Sequence, residues 1–340
     1  MSGGITRGGV DILKGMARVL LVCALAWTLC PRAAFAGPTL VFNMENGHVL
    51  FADDPDRPWY PASLTKMMTA YLAFEAIRDG RAKPGTRVIM SRSARRQPPT
   101  KLGLAVGKHL TLEEALRAIM IKSANDVSVA IAETLGGHEE AFIKQMNQKA
   151  AELGMLSTHF VNPHGLPAIK QVTTARDMAL LAQALLRDFP ERAPLYAAIQ
   201  AKVGKRVLRT HNAIIVSYPG GDGIKTGYTC ASGYNLVASA TRNGTKIIAV
   251  ILGEKSGAKR TVRATALLEH GFKYLDWKAL FPSPRVDNLP SNLVNPTLEP
   301  SEEMLTRYRK CIAPPPPPKT AAVAKKTRKK KYRAKRRRKN

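Results

Sequence analysis

The stretch YNLVASATRNGTKIIAVILG, residues 234–253, decides the fold predicted for this 340-residue chain. Its two apolar, β-branched runs are joined at Asn243-Gly244, a dipeptide typical of tight hairpin turns. A second pair of runs, TLVFNMENGHVLF at residues 39–51, flanks Asn46-Gly47. Helical patterns lie between the two pairs, and TVRATALLEHGFKYLDW at 261–277 adds a last helix. This order predicts an α+β fold, with an antiparallel sheet built from both ends of the domain, flanking helices and a mostly helical subdomain.

Capping signals in the sequence predict where helices between the two hairpins begin. Thr111 with Glu114 forms a capping box that opens one helix, and Thr174 with Asp177 opens another. The predicted helices cover residues 63–78, 111–121, 126–135, 141–153 and 175–186. The segment GDGIKTGYT at 221–229 is typical of a glycine-flanked turn that leads into a strand.

The N-terminus has the pattern of an export signal. Basic residues precede the apolar run at 19–29, which is short for a membrane span. Ala34-Phe35-Ala36 then fits a small-residue cleavage site, so residues 1–36 are predicted to be a signal peptide. Lipid attachment at Cys30 is disfavoured because Leu29, and not a small residue, precedes it. The mature chain is therefore expected in the periplasm or cell envelope.

The C-terminal region differs in composition from the domain at 37–281. Residues 282–318 are rich in proline and predict a linker that ends in a stiff polyproline spacer. Residues 319–340 contain 13 Lys or Arg and no acidic residue. They therefore contribute nearly half of the formal net charge of the chain, which is +28. Such a tail repels itself, buries nothing and is predicted to be disordered. Its charge favours a polyanion, and export favours an anionic membrane surface or wall polymer over nucleic acid.

Four cysteines and seven histidines give no metal-ligand spacing, and no cofactor motif occurs. Cys23 and Cys30 lie in the predicted signal peptide. A Cys230–Cys311 disulfide is possible in an exported protein. We expect none, however, because the linker around Cys311 shows no sign of packing.

Three short motifs carry the chemistry: Ser63-Leu64-Thr65-Lys66, Ser123-Ala124-Asn125 and Lys225-Thr226-Gly227. At the start of a helix, Ser63 and Lys66 lie one turn apart on the same face. A lysine is charged at neutral pH unless burial or a nearby cation lowers its pKa. The apolar surroundings of Lys66 therefore predict a neutral amine that takes the proton of the Ser63 hydroxyl, and Lys225 is a candidate neighbouring cation.

The other two motifs predict substrate contacts. Ser123 could relay a proton and Asn125 could hold a substrate carbonyl, because both fall at a break between helices. Lys225 and Thr226 suit a substrate carboxylate. Gly227 would let a substrate backbone approach closely.

In this order the three motifs resemble those of the low-molecular-mass penicillin-binding proteins, the serine-type D-alanyl-D-alanine carboxypeptidases. The resemblance covers roughly residues 39–281 and includes YPASLTKMMTAYLA, IKSANDVSVAIAE, HGL and GIKTGYTCASGYNLVASA. It implies the penicillin-binding, β-lactamase-like transpeptidase fold. It also implies that Ser63 is the acylated nucleophile, Lys66 its base and the Tyr228 N–H part of the oxyanion hole, and it matches Arg260 to an arginine near the carboxylate subsite.

The resemblance further implies removal of the terminal D-alanine from peptidoglycan stem pentapeptides, without a metal or cofactor, and acylation of Ser63 by β-lactams. The chain departs from larger family members after residue 281, where a second, all-β domain and a membrane helix are replaced by the linker and the basic tail.

Several alternatives remain open on sequence alone. Ser63 and Lys66 could be ordinary helix residues, with Ser123 a cap and Asn125 a turn residue. A D,D-endopeptidase or transpeptidase would use the same groups. A β-lactamase is disfavoured, since no E-x-x-x-N segment lies between the second and third motifs. A non-catalytic envelope-binding protein is the remaining hypothesis. His164, His211 and Cys230 are expected to have structural roles.

Overall fold

Both ends of the domain contribute strands to one central sheet. The computed structural model describes residues 37–279, 282–290 and 298–312. Its main sheet contains β1 (Thr39–Asn43), β2 (Val49–Asp53), β7 (Gly221–Thr229), β8 (Gly233–Arg242) and β9 (Thr245–Glu254). These five strands are antiparallel and lie in the order β2-β1-β9-β8-β7. The N-terminal hairpin thus pairs with the C-terminal one through β1 and β9, as the sequence predicts.

The two predicted hairpin turns form as expected. Asn243 and Gly244 both have positive φ, 49° and 78°, which is the geometry that a two-residue turn between twisted strands requires. At the other hairpin, Gly47 has φ 75° and the Asn43 side chain accepts hydrogen bonds from the Glu45 and Asn46 N–H groups. The segment 221–229 differs from its prediction, because it is the outer strand β7 itself and not a turn.

Two small hairpins and ten helices make up the rest of the described residues. The capping box at Thr111 and the Thr174 cap are present. The hairpin strands are β3 (Arg87–Ile89), β4 (His109–Thr111), β5 (Gln200–Val203) and β6 (Arg206–Arg209). The helices are α1 (Lys66–Arg78), α2 (Arg92–Arg96), α3 (Leu112–Arg117), α4 (Asn125–Gly136), α5 (Glu139–Glu152), α6 (Ala175–Asp188), α7 (Ala193–Tyr196), α8 (Ala213–Ser217), α9 (Gly257–Ala279) and α10 (Glu302–Ile312). Short 3-10 turns cover Ala62–Thr65 and Pro190–Arg192, and a π-helical turn covers Ala118–Lys122.

The sheet is buried on both faces, which explains the continuous apolar run in β9. Ile247, Ala249 and Ile251 pack with the helix α9 side of the sheet. Ile248 and Val250 point to the opposite face, toward the helical subdomain. Helix α1 lies inside that subdomain, and almost all of its residues are buried, including Lys66 at its first position. The fold therefore places this lysine in the core.

The structure corrects the expectation for the C-terminal region. Residues 302–312, predicted as part of a linker, form helix α10, and Cys311 is disulfide-bonded to Cys230 with a Cα–Cα distance of 5.7 Å. Met304, Tyr308 and Cys311 share one helical face and pack with Tyr60. That 4-then-3 spacing is the helical signal which the proline-rich composition obscured.

The predicted signal peptide (1–36), the polyproline segment and the basic tail (313–340) lie outside the described residues. Among the residues that the structure describes, no helix has the length and apolarity needed to cross a membrane.

Candidate active site

Ser63 lies in the 3-10 turn that leads into α1, a slightly different start from the predicted helix. Ala62, directly before it, has a positive φ of 49°, a strained conformation of the kind that clusters at functional sites. The segment is held from β8, because the Asn235 amide donates to the carbonyls of Tyr60 and Pro61 at 2.9 and 3.1 Å. The turn thus presents Ser63, which is half-buried, at the surface of the core.

Lys66 is fully buried and has three polar partners. Its Nζ lies 3.0 Å from Ser63 Oγ, 2.7 Å from Asn125 Oδ1 and 2.6 Å from the His164 carbonyl oxygen. The His164 carbonyl can only accept. Asn125 also presents its acceptor, because its Nδ2 donates to the Pro98 carbonyl. A neutral amine has two hydrogens for these acceptors and one lone pair left for the Ser63 O–H. The geometry therefore suits a neutral Lys66 that accepts the serine proton.

The electrostatics agree with that assignment. Burial, followed by the charge of Lys225, lowers the pKa of Lys66 well below its usual value, although Asp126 acts in the opposite direction. Burial and the charge of Arg260 lower the pKa of Lys225 to about 7. Both lysines are therefore displaced toward the neutral amine by their buried surroundings.

The second motif comes from the break between the π-helical turn and α4. Ser123 adopts a left-handed conformation with φ 63°, and its Oγ accepts a hydrogen bond of 3.0 Å from Lys225 Nζ. The Asn125 N–H donates to the Thr100 carbonyl at 2.7 Å. Asp126 accepts from the Leu102 and Gly103 N–H groups. These bonds fix the loop 98–103 as one wall of the cleft.

The third motif lies on β7, whose outer edge has no neighbouring strand in the described sheet. Lys225 is buried and, besides Ser123, donates to the Thr226 carbonyl at 3.0 Å. Its ammonium form has a third hydrogen, which is free for a ligand. Thr226 is half-buried.

The structure gives a second reason for glycine at position 227, besides the predicted approach of a substrate. A Cβ at this position would lie 3.1 Å from the Ser63 backbone nitrogen. The segment that contains Ser63 therefore approaches β7 closely at this position. Tyr228, the next residue, is 54% exposed and its ring packs on Tyr234 at a centroid distance of 4.2 Å.

Arg260, in the first turn of α9, lies behind the third motif. It is buried, and its two terminal nitrogens make only long contacts, 3.4 Å to the Asn235 carbonyl and 3.5 Å to the His211 carbonyl. Its Nε has no hydrogen-bond partner among the described residues. A buried guanidinium with spare donors suits an anionic ligand.

A cavity of about 220 Å³ opens beside Ser63. Three predicted residues line it, Ser63, Asn125 and Tyr228, whereas Lys66, Ser123, Lys225 and Arg260 are buried close to it. The remaining lining residues are Pro99, Thr100, His164, Gly165, Leu166 and Thr229. Across the part of the chain that the structure describes, no group of three His, Cys, Asp or Glu side chains could hold a metal ion.

Sequence reasoning missed the contribution of the His164-Gly165 loop. The His164 carbonyl accepts from Lys66, and its ring accepts from the Leu166 N–H through Nδ1 at 3.1 Å. Burial lowers the pKa of His164 to about 3, so the ring is neutral at physiological pH. A Cβ at Gly165 would overlap the Ala62 carbonyl oxygen. The HGL segment was the available signal, since only glycine allows this approach.

The family model described as D-alanyl-D-alanine carboxypeptidase matches residues 29–256, which contain all three motifs. The chain belongs to this family. Among curated relatives, D-alanyl-D-alanine carboxypeptidase DacF of Bacillus subtilis is 35% identical over 258 residues, covering 72% of this chain and 64% of the relative. DacA of Escherichia coli is 35% identical over 244 residues, covering 70% of this chain and 60% of the relative. The chain therefore spans less than two thirds of these relatives.

Solved structures of the family confirm the predicted fold. Penicillin binding protein 5 of Haemophilus influenzae superimposes with a TM-score of 0.68 at 33% identity, covering 72% of this chain and 73% of that one. A Listeria monocytogenes penicillin-binding protein in its ampicillin-bound form gives a TM-score of 0.65 at 30% identity, covering 71% of this chain and 100% of that one. The α+β architecture is that of the penicillin-binding proteins.

Proposed function

We propose that this protein is a serine D-alanyl-D-alanine carboxypeptidase that shortens peptidoglycan stem pentapeptides. The observation that carries the proposal is the buried Lys66 amine, whose Nζ lies 3.0 Å from Ser63 Oγ and within hydrogen-bond distance of two carbonyl-type acceptors. Family membership supports the reaction class.

In the acylation step, Lys66 takes the Ser63 proton while Oγ attacks the carbonyl of the penultimate D-alanine. The oxyanion accepts hydrogen bonds from the backbone N–H groups of Ser63 and Tyr228. The first N–H groups of a helical turn have no partner within the turn, which makes the Ser63 N–H available. The C–N bond then breaks, and the proton passes from Lys66, with Ser123 as a relay, to the nitrogen of the departing D-alanine.

In the deacylation step, water attacks the ester carbonyl on Ser63, its proton passes to Lys66, and the Ser63 oxygen leaves and regains a proton. The substrate's terminal carboxylate lies against Lys225 and Thr226, with Arg260 behind them. The side-chain amide of Asn125, which lines the cavity, holds a carbonyl group of the substrate. β-Lactams acylate Ser63 by the same first step, and the ampicillin-bound relative supports this expectation.

The intact mass of the protein after incubation with penicillin tests the assignment, with Ser63→Ala as control. A single stoichiometric adduct that is absent from the variant is expected. D-alanine release from a pentapeptide ending in D-Ala-D-Ala then tests the substrate. A folded protein without an adduct would overturn the proposal and favour a binding protein.

We also propose that the protein is exported and that residues 319–340 hold it at an anionic membrane surface or wall polymer. The N-terminal pattern and the 13 basic residues of the tail support this location. Each basic residue near an anionic surface contributes about 1 kcal/mol, so such attachment weakens with salt. Unchanged envelope association after deletion of 313–340 would reject the role of the tail.

A further inference from the structure

The net charge of the described residues is concentrated in two segments. Residues 81–122 and 199–211 together contain 14 Lys or Arg and two Glu. The other described residues contain 22 basic and 22 acidic residues, and are therefore neutral overall. The excess positive charge of the folded part is thus a local feature and not a general property of its surface.

The two segments meet beside the cleft. In the β5–β6 hairpin, Val203 and Leu208 are buried, and the hairpin packs on α3 and the π-helical turn. Arg206 donates to the Leu102 carbonyl, and the Gly204 N–H donates to Glu114 at 3.0 Å. Lys202 and Arg209 lie on the opposite face from Val203 and Leu208, and Lys205 lies in the turn, so these three side chains are exposed.

Six cations form a group that we name the basic rim. All are exposed or half-buried, and none makes an ion pair with any described residue. The two nearby carboxylates are engaged elsewhere, since Glu113 pairs with Arg117 and Arg192, and Glu114 caps α3. The basic rim consists of Lys101, Lys122, Lys202, Lys205, Arg206 and Arg209.

The basic rim is continuous with the candidate active site. Lys101 directly follows Thr100, which lines the cavity, and Lys122 directly precedes Ser123. Burial, followed by the charge of Lys122 and then that of Lys225, lowers the pKa of His211, so both lysines lie within electrostatic range of the same histidine. A ligand in the cleft therefore has unpaired cations along one side.

We propose that the basic rim binds uncrosslinked, polyanionic peptidoglycan strands and favours polymeric substrate over short peptides. This inference rests on the proposed carboxypeptidase function. Each stem peptide ends in a carboxylate, so a strand with many stems is a polyanion. One stem occupies the cleft while its neighbours contact the rim. Single exposed ion pairs are weak and screened by salt, but several on one strand act together. The position at the cleft favours substrate over a lipid surface.

The test compares two triple charge reversals in the full mature protein. The rim variant is Lys202→Glu, Lys205→Glu and Arg209→Glu. The control is Lys144→Glu, Lys273→Glu and Lys310→Glu, which changes the net charge equally at exposed sites away from the rim. D-alanine release is measured on uncrosslinked polymeric peptidoglycan and on a short pentapeptide.

The rim variant is expected to raise KM for the polymer about tenfold, the size expected for three screened surface contacts, with kcat unchanged. Turnover of the short peptide should stay at the wild-type level, and the control should match wild type on both substrates. Added NaCl should raise the wild-type KM for the polymer only. Equal behaviour of rim and control variants on the polymer would overturn the inference.

Two further outcomes distinguish strand binding from lipid binding and from a failure of the catalytic assignment. If the rim variant loses binding to vesicles containing anionic phospholipid but keeps its polymer KM, the surface binds lipid and the inference is wrong. If wild type hydrolyses no short peptide, the proposed carboxypeptidase function fails. In that case, binding can still be measured by co-sedimentation of the Ser63→Ala variant with peptidoglycan. Binding that weakens with salt, and that is lost when the rim substitutions are added, would still support strand binding by the basic rim.

Discussion

Replacement of Cys311 by serine should destabilise the protein strongly, because the disulfide closes a long loop. Cys230 and Cys311 are separated by 81 residues. The chain-entropy model assigns such a cross-link about 4.5 kcal/mol at 25 °C. For a domain of this size, that loss corresponds to a fall in Tm of roughly 9–18 °C. The figure is an upper limit, because without the bond α10 can leave the domain while the rest stays folded.

Detachment of helix α10 from the domain would also disturb the active site. Helix α10 packs on Tyr60 and against Trp59, over which Arg307 lies at 4.6 Å from the ring centroid. Both residues belong to the segment that leads to Ser63. Cys230 follows Thr229, which lines the cavity. We therefore expect Cys311→Ser to slow penicillin acylation as well as to lower Tm.

Thermal unfolding followed by circular dichroism checks the stability change, and alkylation with mass spectrometry before and after reduction counts the free thiols. Reduction of wild type should reproduce the variant, and reduction of the variant should change nothing further. The reasoning is refuted if unreduced mature wild type alkylates at both cysteines, or if the variant and wild type unfold at the same temperature.

Three other predictions concern the lysines and Gly227. The kcat/KM for a pentapeptide should rise with pH as Lys66 loses its proton, and fall above about pH 7 as Lys225 loses its charge. Lys225→Arg should move the fall in kcat/KM to higher pH, and an unchanged profile would exclude Lys225 as the group that causes the fall. Lys66→Met should abolish the penicillin adduct yet raise the free energy of unfolding by up to ~2 kcal/mol, since it removes the cost of burying an amine; a less stable variant in urea unfolding would contradict this. Gly227→Ala should slow acylation about 100-fold or more with little loss of Tm, because the new methyl group presses on the Ser63 nitrogen; acylation at the wild-type rate would show that the segment yields without cost.

Local signals in the sequence were sufficient for most of the fold. Asn243, Gly244 and Gly47 adopt the positive φ that tight turns favour for these residue types, so both hairpins were predictable from neighbouring residues alone. The same holds for the Thr111 and Thr174 caps, whose partners lie three residues away. The three motifs, taken together and in order, predicted which side chains meet at Ser63.

Contacts between distant segments were not predictable in this way. The His164 carbonyl acts on Lys66 through a main-chain atom, which every residue type has, so no side chain at that position reveals it. Asn235 holds the segment before Ser63 from another strand, 174 residues along the chain from Pro61. The role of Gly227 depends on the distance to Ser63, which only the packing of β7 against the 3-10 turn defines.

The sequence alone predicted the order of strands and helices, the turn positions and the candidate nucleophile and base, because each prediction depends on residues close together or on a distinctive set of motifs. The tertiary structure established that Lys66 is fully buried beside two acceptors, and that Cys311 lies within bonding distance of Cys230. Burial and long-range pairing arise from packing over the whole domain. A protonation state and a disulfide bond therefore follow from the folded environment and not from the local sequence.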